Sequence, residues 1–374
     1  MDGVTIRRVS SKKDLVRFIK FPWKIYARNG YWVPPLISDK KKLLDRARNP
    51  FYQHADMELF LAEKSGELVG RVGGIVNHLH NSFHGENIGF FGFFESVNDR
   101  TVSAAMFDTA RDWLRSKGVT AMRGPASPSM NDECGLLIEG FEESPTVMMP
   151  YNPPYYADLF EAYGLRKVMD LYAYALYKDR VELGKILRLA EVVRRRQSLQ
   201  IRSIDMKNFR RDVGIVKEIY NKAWSSNWGF VPLTDEEIDF LADDLKKILD
   251  PDFASFAEVN GKDVGFSLAL PDINQVLKRI PSGRLFPFGL LKFLLYRTKI
   301  DNVRLIITGV IKEYQRRGID AVLYSEILHR AAAKGIYRGE ASWILETNKM
   351  MSSGLDAMNA VCSKTYRMYE MSIN

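Results

Sequence analysis

Cysteine is nearly absent: Cys134 and Cys362 are the two thiols among 374 residues. Two thiols cannot build a disulfide framework, so the fold must rest on buried apolar cores, and a reducing compartment suits it. Long hydrophobic runs are missing as well. None approaches the ~18 residues of a membrane-spanning helix, and the opening MDGVTIRRVSSKKDLVRF lacks the apolar region of a secretory signal. A cytoplasmic protein is expected. Histidine is scarce, five in all. Three of these fall in NHLHNSFH, as His78, His80 and His84, with no cysteine nearby to complete a metal site, so no metal is expected. No serine–histidine or cysteine–histidine nucleophile arrangement stands out either.

What is present points elsewhere. The length fits two domains, and 46% hydrophobic residues can fill large cores. A formal charge of +8 favours anionic partners: nucleic acid, a lipid surface or a phosphorylated cofactor.

The chain also repeats itself. Residues 62–70 read AEKSGELVG and residues 257–265 read AEVNGKDVG. Each is a strand, a polar turn with glycine and a second strand, the signature of a hairpin. A third strand follows in each copy, at Ile88–Glu95 and at Arg304–Ile311. An amphipathic helix comes next: Val102, Met106, Ala110, Trp113 and Leu114 share one face in the first copy, and Val322, Leu323, Ile327 and Ala331 do so in the second. Both helices end in Lys-Gly, at Gly118 and Gly335, where glycine can take the left-handed cap. The copies divide the chain into residues 1–178, a basic linker helix over 179–198, and residues 199–374. A segment over 271–301 in the second copy has no counterpart in the first.

Between strand and helix in the second copy stands TGVIKEYQRRGIDA, residues 308–321. Unpaired N–H groups and the dipole at a helix N-terminus attract anions, and Gly318 lets an oxyanion approach the main chain without a Cβ in the way. The element order β–α–β–β–β–α–β–α–β, with Gln315, Arg316, Arg317 and Gly318 in this turn, resembles the GNAT acyltransferase superfamily. The resemblance implies an α/β fold of two tandem GNAT-like domains, each a twisted, mostly antiparallel sheet flanked by helices. It implies acyl-CoA or acetyl-CoA as co-substrate, its diphosphate on Gln315, Arg316, Arg317, Gly318, Ile319, Asp320 and Ala321. Its thioester would lie beside the main chain of Thr308, Gly309, Val310 and Ile311. Asp320 departs from the family's second small residue. In ILETN, strand alternation puts Glu346 and Asn348 on one side, and the resemblance implies that Asn348 contacts the pantetheine arm or caps the next helix. The family's usual tyrosine is replaced by Leu355, which leaves the thiolate acid unassigned.

The first copy lacks such a turn. SVNDRTVSAAM contains no glycine there, so the first copy is expected to bind no coenzyme A and to complete the acceptor site. Its long segment Arg123–Tyr156 carries the polar cluster Asn131, Asp132 and Glu133. An attacking ammonium must lose a proton, and Glu346, Asp132 and Glu133 are the candidate bases.

AWSSNWGFVPLT, MNDECGLLIEGF and PYNPPYY resemble a bacterial tandem-GNAT family similar to the GNAT-type ceramide synthases. This implies N-acyl transfer to a long-chain amine, with Asn131, Asn227 and Trp228 contacting the acceptor. Leu285–Tyr296 is strongly apolar with basic flanks, so contact with the inner face of a membrane through 278–299 is expected. Two alternatives remain: a Fem-like aminoacyl-tRNA-dependent transferase, and a non-catalytic RNA- or membrane-binding protein on degenerate domains. The retained diphosphate turn disfavours nucleic acid.

Overall fold

Both repeats form hairpins, and both turn on the same chemistry. Ser65-Gly66 and Asn260-Gly261 take positive φ at both central positions, 51° and 80° in one and 52° and 76° in the other, the geometry that matches strand twist. A bulge follows at equivalent places, between Ala62 and Glu63 and between Ala257 and Glu258. A shared irregularity of this kind marks two versions of one unit.

The computed structural model describes residues 3–225 and 227–374. The chain forms two units: Met1–Leu171 with Leu277–Phe293 and Lys364–Asn374, and Tyr172–Val276 with Leu294–Ser363.

In chain order the first unit begins with β1 (Val4–Arg8), α1 (Lys12–Lys20), α2 (Pro22–Ile25), α3 (Ile37–Leu43), β2 (Ala55–Lys64) and β3 (Glu67–Asn77). It continues through α4 (His78–His84), β4 (Ile88–Ser96), α5 (Arg100–Ser116), β5 (Ala121–Gly124), β6 (Ala126–Ser127), β7 (Glu133–Cys134), β8 (Leu136–Glu139) and α6 (Tyr156–Tyr163). β9 (Arg166–Tyr177) leads out of it. The second unit holds α7 (Leu183–Gln197), β10 (Leu199–Ser203), α8 (Phe209–Ala223), α9 (Asp235–Leu245), β11 (Ala254–Val259) and β12 (Lys262–Pro271). After α10 (Asn274–Leu277) and α11 (Gly289–Tyr296) come β13 (Asn302–Val310), α12 (Ile319–Ala333), β14 (Arg338–Leu345), α13 (Lys349–Asp356) and β15 (Val361–Ser372).

The first unit's sheet runs β1-β2-β3-β4-β5-β15 and the second's β10-β11-β12-β13-β14-β9. Each is an antiparallel meander followed by one parallel pair, β4 with β5 and β13 with β14. A parallel pair needs a crossover, and α5 and α12 supply it. α5 buries the predicted face, with Val102, Met106, Ala110 and Leu114 at 0% exposure. Phe107 stacks on Phe94 at 4.8 Å and meets Phe91 and Phe160 edge-on.

Sequence order and spatial order part at two places. The last strand pairs with β5, Tyr369 opposite Gly124, and with β8, Tyr366 opposite Leu137, so the C-terminus completes the first unit. Much of the extra segment packs there too: Trp23 Nε1 donates to the Pro281 carbonyl at 2.7 Å, and Ile37 N–H to the Gly283 carbonyl at 2.9 Å.

His78 and His80 stand in a helix, because β3 ends at Asn77, whose side chain caps α4 by accepting from His80 N–H at 3.1 Å. Burial pushes the His80 imidazole down to about 4, with Glu86 at 2.9 Å partly opposing the shift. Among the described residues, no group of three His, Cys, Asp or Glu is placed to hold a metal, and no helix is long and apolar enough to cross a membrane.

Candidate functional site

The parallel pair of the second unit comes apart. β13 and β14 are in register only from Asn302/Arg338 to Leu305/Ala341, yet β13 runs on to Val310 and β14 to Leu345. On its other side β13 stays paired with β12 as far as Gly265 opposite Val310. Residues 307–310 therefore keep a ladder on one edge, with Ile306 bulged out of it, and 306–310 offer main-chain groups to a wedge on the other. A ligand with amide groups can pair there as an added strand. Thr308 is fixed by the Ser267 hydroxyl at 2.7 Å. Gly309 cannot carry a Cβ, since one would overlap the ring of Trp224 on the opposite face.

Beyond the wedge the chain makes the turn that the sequence singled out. Gln315 Nε2 donates to the Val310 carbonyl at 2.9 Å, tying the turn to the strand end. Arg316 and Gly318 both take left-handed backbone, at φ 60° and 81°, a conformation that turns neighbouring N–H groups toward a common centre. Gly318 is the N-cap of α12 and supplies no side-chain cap, so the first N–H groups of a 15-residue helix point outward. Gln315, Arg316 and Arg317 are exposed around this rim. Arg317 donates to the Glu313 carbonyl at 2.8 Å and lies over the Tyr314 ring. Ile319 is buried, holding the helix start to the core. Asp320 is in the first turn and Ala321 is exposed.

On the other lip, β14 ends at Leu345, so Glu346 and Asn348 lie beyond the strand and do not share a strand face. They sit in the turn before α13, where Asn348 is the N-cap and accepts from Met351 N–H at 3.2 Å. The parallel strands have already separated, and no ladder extends β14 further.

The first unit has the same plan with both openings closed. β4 and β5 are in register from Ile88/Ala121 to Phe90/Arg123, and beyond this point β6 occupies the gap. Phe93 N–H donates to Ser127 Oγ at 2.8 Å, and a side chain at Gly92 would overlap the Ala126 carbonyl. At the start of α5, Asp99 accepts from Thr101 N–H at 2.8 Å and pairs with Lys64 at 2.8 Å. Those partners hold its carboxyl well below the usual range. The helix that could take an anion already holds its own.

The remaining predicted residues lie in loops, except Glu133, which opens β7. Asp132 accepts from the Ser129 hydroxyl at 2.7 Å, Asn131 N–H donates to the same Ser129 oxygen at 3.1 Å, and Glu133 pairs with Lys40 at 2.8 Å. Asn227 and Trp228 are half-buried in the loop between α8 and α9, with Asn227 N–H on the Trp224 carbonyl at 2.8 Å.

Two groups escaped the sequence reading. Tyr324, on the second turn of α12, donates to Met351 Sδ at 3.3 Å, and burial raises its pKa while a bond to Thr308 opposes the rise. It carries no motif; only the fold brings it beside the wedge. Glu95 is buried in the first unit and accepts from Tyr26 and Tyr156 hydroxyls at 2.9 and 2.8 Å, with burial raising its pKa. These bonds anchor α2 and α6 to β4.

Comparison with known proteins follows the same line. No protein-family model matches the chain. It is 37% identical to Protein YghO of Escherichia coli (strain K12), over 98% of this chain and 95% of that one. It is 35% identical to a bacterial ceramide synthase of Caulobacter vibrioides, over 98% and 96%. In structure it resembles a tandem GNAT protein from the clavulanic acid biosynthesis pathway, at 11% identity, 99% of each chain and a TM-score of 0.58, a likeness of fold alone. With its two GNAT units and these full-length relatives, the chain belongs to the family of tandem GNAT acyltransferases that includes YghO and the bacterial ceramide synthase.

Proposed function

We propose that the protein transfers an acyl group from a coenzyme A thioester, held by the second unit, to the amine of a long-chain lipid. One observation carries the donor half: β13 and β14 separate beside a helix start without a side-chain cap, whereas the first unit fills both places with its own residues. In this reading the diphosphate rests on the N–H groups of residues 316–321, and pantetheine pairs with the free edge of 306–310.

The chemistry is direct transfer. The neutral amine attacks the thioester carbonyl, whose developing oxyanion is met by β13 main-chain donors. The carbon–sulfur bond breaks and the thiolate takes a proton. Tyr324, kept protonated by burial, is the donor this reading names, in place of the family's tyrosine where Leu355 stands. Glu346, in the same unit, is the base that receives the ammonium proton, directly or through water. Asn227 and Trp228 contact the acceptor.

The lipid acceptor is supported by the name of the Caulobacter relative and by an exposed apolar surface. Phe286 and Phe288 are 74% and 75% exposed, and Leu291, Leu294 and Leu295 are exposed with them. Arg284, Lys292, Arg297 and Lys299 surround them, a composition suited to the headgroup layer of an anionic membrane. In the test, a long-chain 2-amino alcohol is supplied in vesicles together with an acyl-CoA, and amide and free thiol are measured by mass spectrometry. The expected result is equimolar amide and thiol, formed faster on anionic than on zwitterionic vesicles. If acyl-CoA binds but no amine is acylated, the transferase reading fails. If vesicle charge has no effect, the membrane contact fails.

A further inference from the structure

A chain of hydroxyl groups crosses the second unit and ends at the wedge. Ser255, Ser267 and Thr308 stand directly opposite one another on β11, β12 and β13, so they share one face of the sheet. Ser267 Oγ and Thr308 Oγ1 are 2.7 Å apart. Thr308 bonds in turn to the Tyr324 hydroxyl, which donates to Met351 Sδ at 3.3 Å. Each hydroxyl has a single hydrogen to donate. Tyr324 directs its own at Met351, so Thr308 donates to the Tyr324 oxygen and Ser267 donates to Thr308. The chain therefore has one direction, and it ends on a thioether sulfur, a weak acceptor. It also spans the wedge, because Thr308 belongs to β13 and Met351 to α13, which follows β14.

The first unit, built on the same plan with its wedge closed, has apolar groups at all three places. Aligning the two hairpin sequences sets Val72 against Ser267. The strand pairs Gly70/Ser96 and Gly265/Val310 set Phe94 against Thr308, and the helix N-caps Asp99 and Gly318 set Ala105 against Tyr324. A hydroxyl buried in a core costs free energy unless it is paired, and packing alone is met by apolar groups in the first unit. The polar chain thus accompanies the open wedge.

Resting on the donor reading above, we propose that Thr308 and Ser267 are positioning residues for departure of the thiolate: they hold the Tyr324 hydroxyl across the wedge and stabilise the phenolate it becomes. The carbon–sulfur bond breaks with its electron pair on sulfur, and the sulfur takes the hydrogen of Tyr324 in place of the Met351 contact. The Thr308 hydrogen then faces a full negative charge, and a hydrogen bond to a charged group is stronger than one to a neutral group. The phenolate regains its proton from solvent, to which Glu346 releases the proton it took from the amine, so the charges balance.

The test follows single-turnover amide formation from an acyl-CoA and a long-chain 2-amino alcohol in vesicles, with acyl-CoA affinity measured by calorimetry on the same proteins. Thr308→Val should slow transfer by about 10-fold or more, the effect of losing a hydrogen bond to a developing charge. Ser267→Ala, acting through Thr308, should slow it by a smaller factor. Acyl-CoA affinity should not change in either, since main-chain groups do the binding. Thr308→Ser keeps the hydroxyl and should keep the rate. Ser255→Ala should transfer as the wild type does, because Ser255 Oγ has no hydrogen-bond partner among the described residues. Placing 3-fluorotyrosine, a more acidic phenol, at position 324 should restore the rate of Thr308→Val and of Ser267→Ala, which a merely structural role would not allow. If both variants transfer at the wild-type rate, lose acyl-CoA affinity in step with their rate, or gain nothing from the fluorinated phenol, the positioning assignment is wrong and the donor site stands. If no CoA ester binds to the wild type, the donor reading falls and this assignment with it.

Discussion

Gly318→Glu weakens coenzyme A binding by about 100-fold or more while the protein keeps its fold. Three effects act at one position. The backbone there is left-handed, at φ 81°, which costs a side-chain-bearing residue about 1–2 kcal/mol. The new Cβ would stand 3.1 Å from Val193 Cγ2 on α7, a tight contact that a small helix shift can relieve. The decisive effect is charge. A carboxylate about 4 Å from a phosphate costs about 4 kcal/mol at the effective dielectric of a protein surface, and about 2.7 kcal/mol already makes a 100-fold loss. Strain of this size is small against a typical stability of about 5–15 kcal/mol, so the variant remains folded. Gly318→Ala separates the terms, since it carries the strain without the charge and should lose only a fraction of the affinity. Calorimetric titration with CoA, paired with a thermal melt, reads both. Unchanged CoA affinity in a folded Glu variant would remove the diphosphate from this turn.

Truncation after Ser363 unfolds the first unit, although the deleted segment follows the whole of the second unit in the chain. Tyr366, Met368, Tyr369 and Ile373 are each at most 1% exposed. At about 1.5–3 kcal/mol apiece, their burial contributes about 6–12 kcal/mol, an upper estimate because unfolded chains bury some surface. The deletion also removes the Arg367–Asp170 pair, at 2.8 Å, and the Glu370 partner of Arg123, at 2.6 Å. Together these losses match the whole stability of a domain. The two cysteines report the outcome. Cys134 is buried in the first unit and Cys362 is exposed, so the intact protein should show one fast-reacting thiol and the truncated one two. Continued protection of Cys134 would mean that the first unit holds without its last strand.

The C-terminal strand shows why part of this architecture could not be read from the sequence. Hairpins at Ser65-Gly66 and Asn260-Gly261 were legible because turn chemistry is local, and the helix faces of α5 and α12 because periodicity is local. The strand-to-helix turn was legible for the same reason: Gly318 sits between β13 and α12 in plain order. Which strand neighbours β5 is instead decided by pairing across the chain, and nothing within KTYRMYE says that Tyr369 meets Gly124. β14 outlasts its pairing with β13, which stops at Ala341, and ends at Leu345, so alternation carried Glu346 and Asn348 beyond the strand. The closed gap beside β4 depends on Ala126 and Ser127 entering it, and Tyr324 gains its place only when α12 lies against β13. Local patterns gave the elements; long-range pairing gave the openings.

The central claim is that the second unit alone grips the thioester, through bare main-chain donors at α12 and along β13. A crystal structure with a non-hydrolysable thioether analogue of acyl-CoA tests it most directly. The account predicts diphosphate density over the N–H groups of residues 316–321, with pantetheine between β13 and β14 and nothing bound beside β4. Density in the first unit, or crystals grown at saturating ligand with none in the wedge, would contradict it.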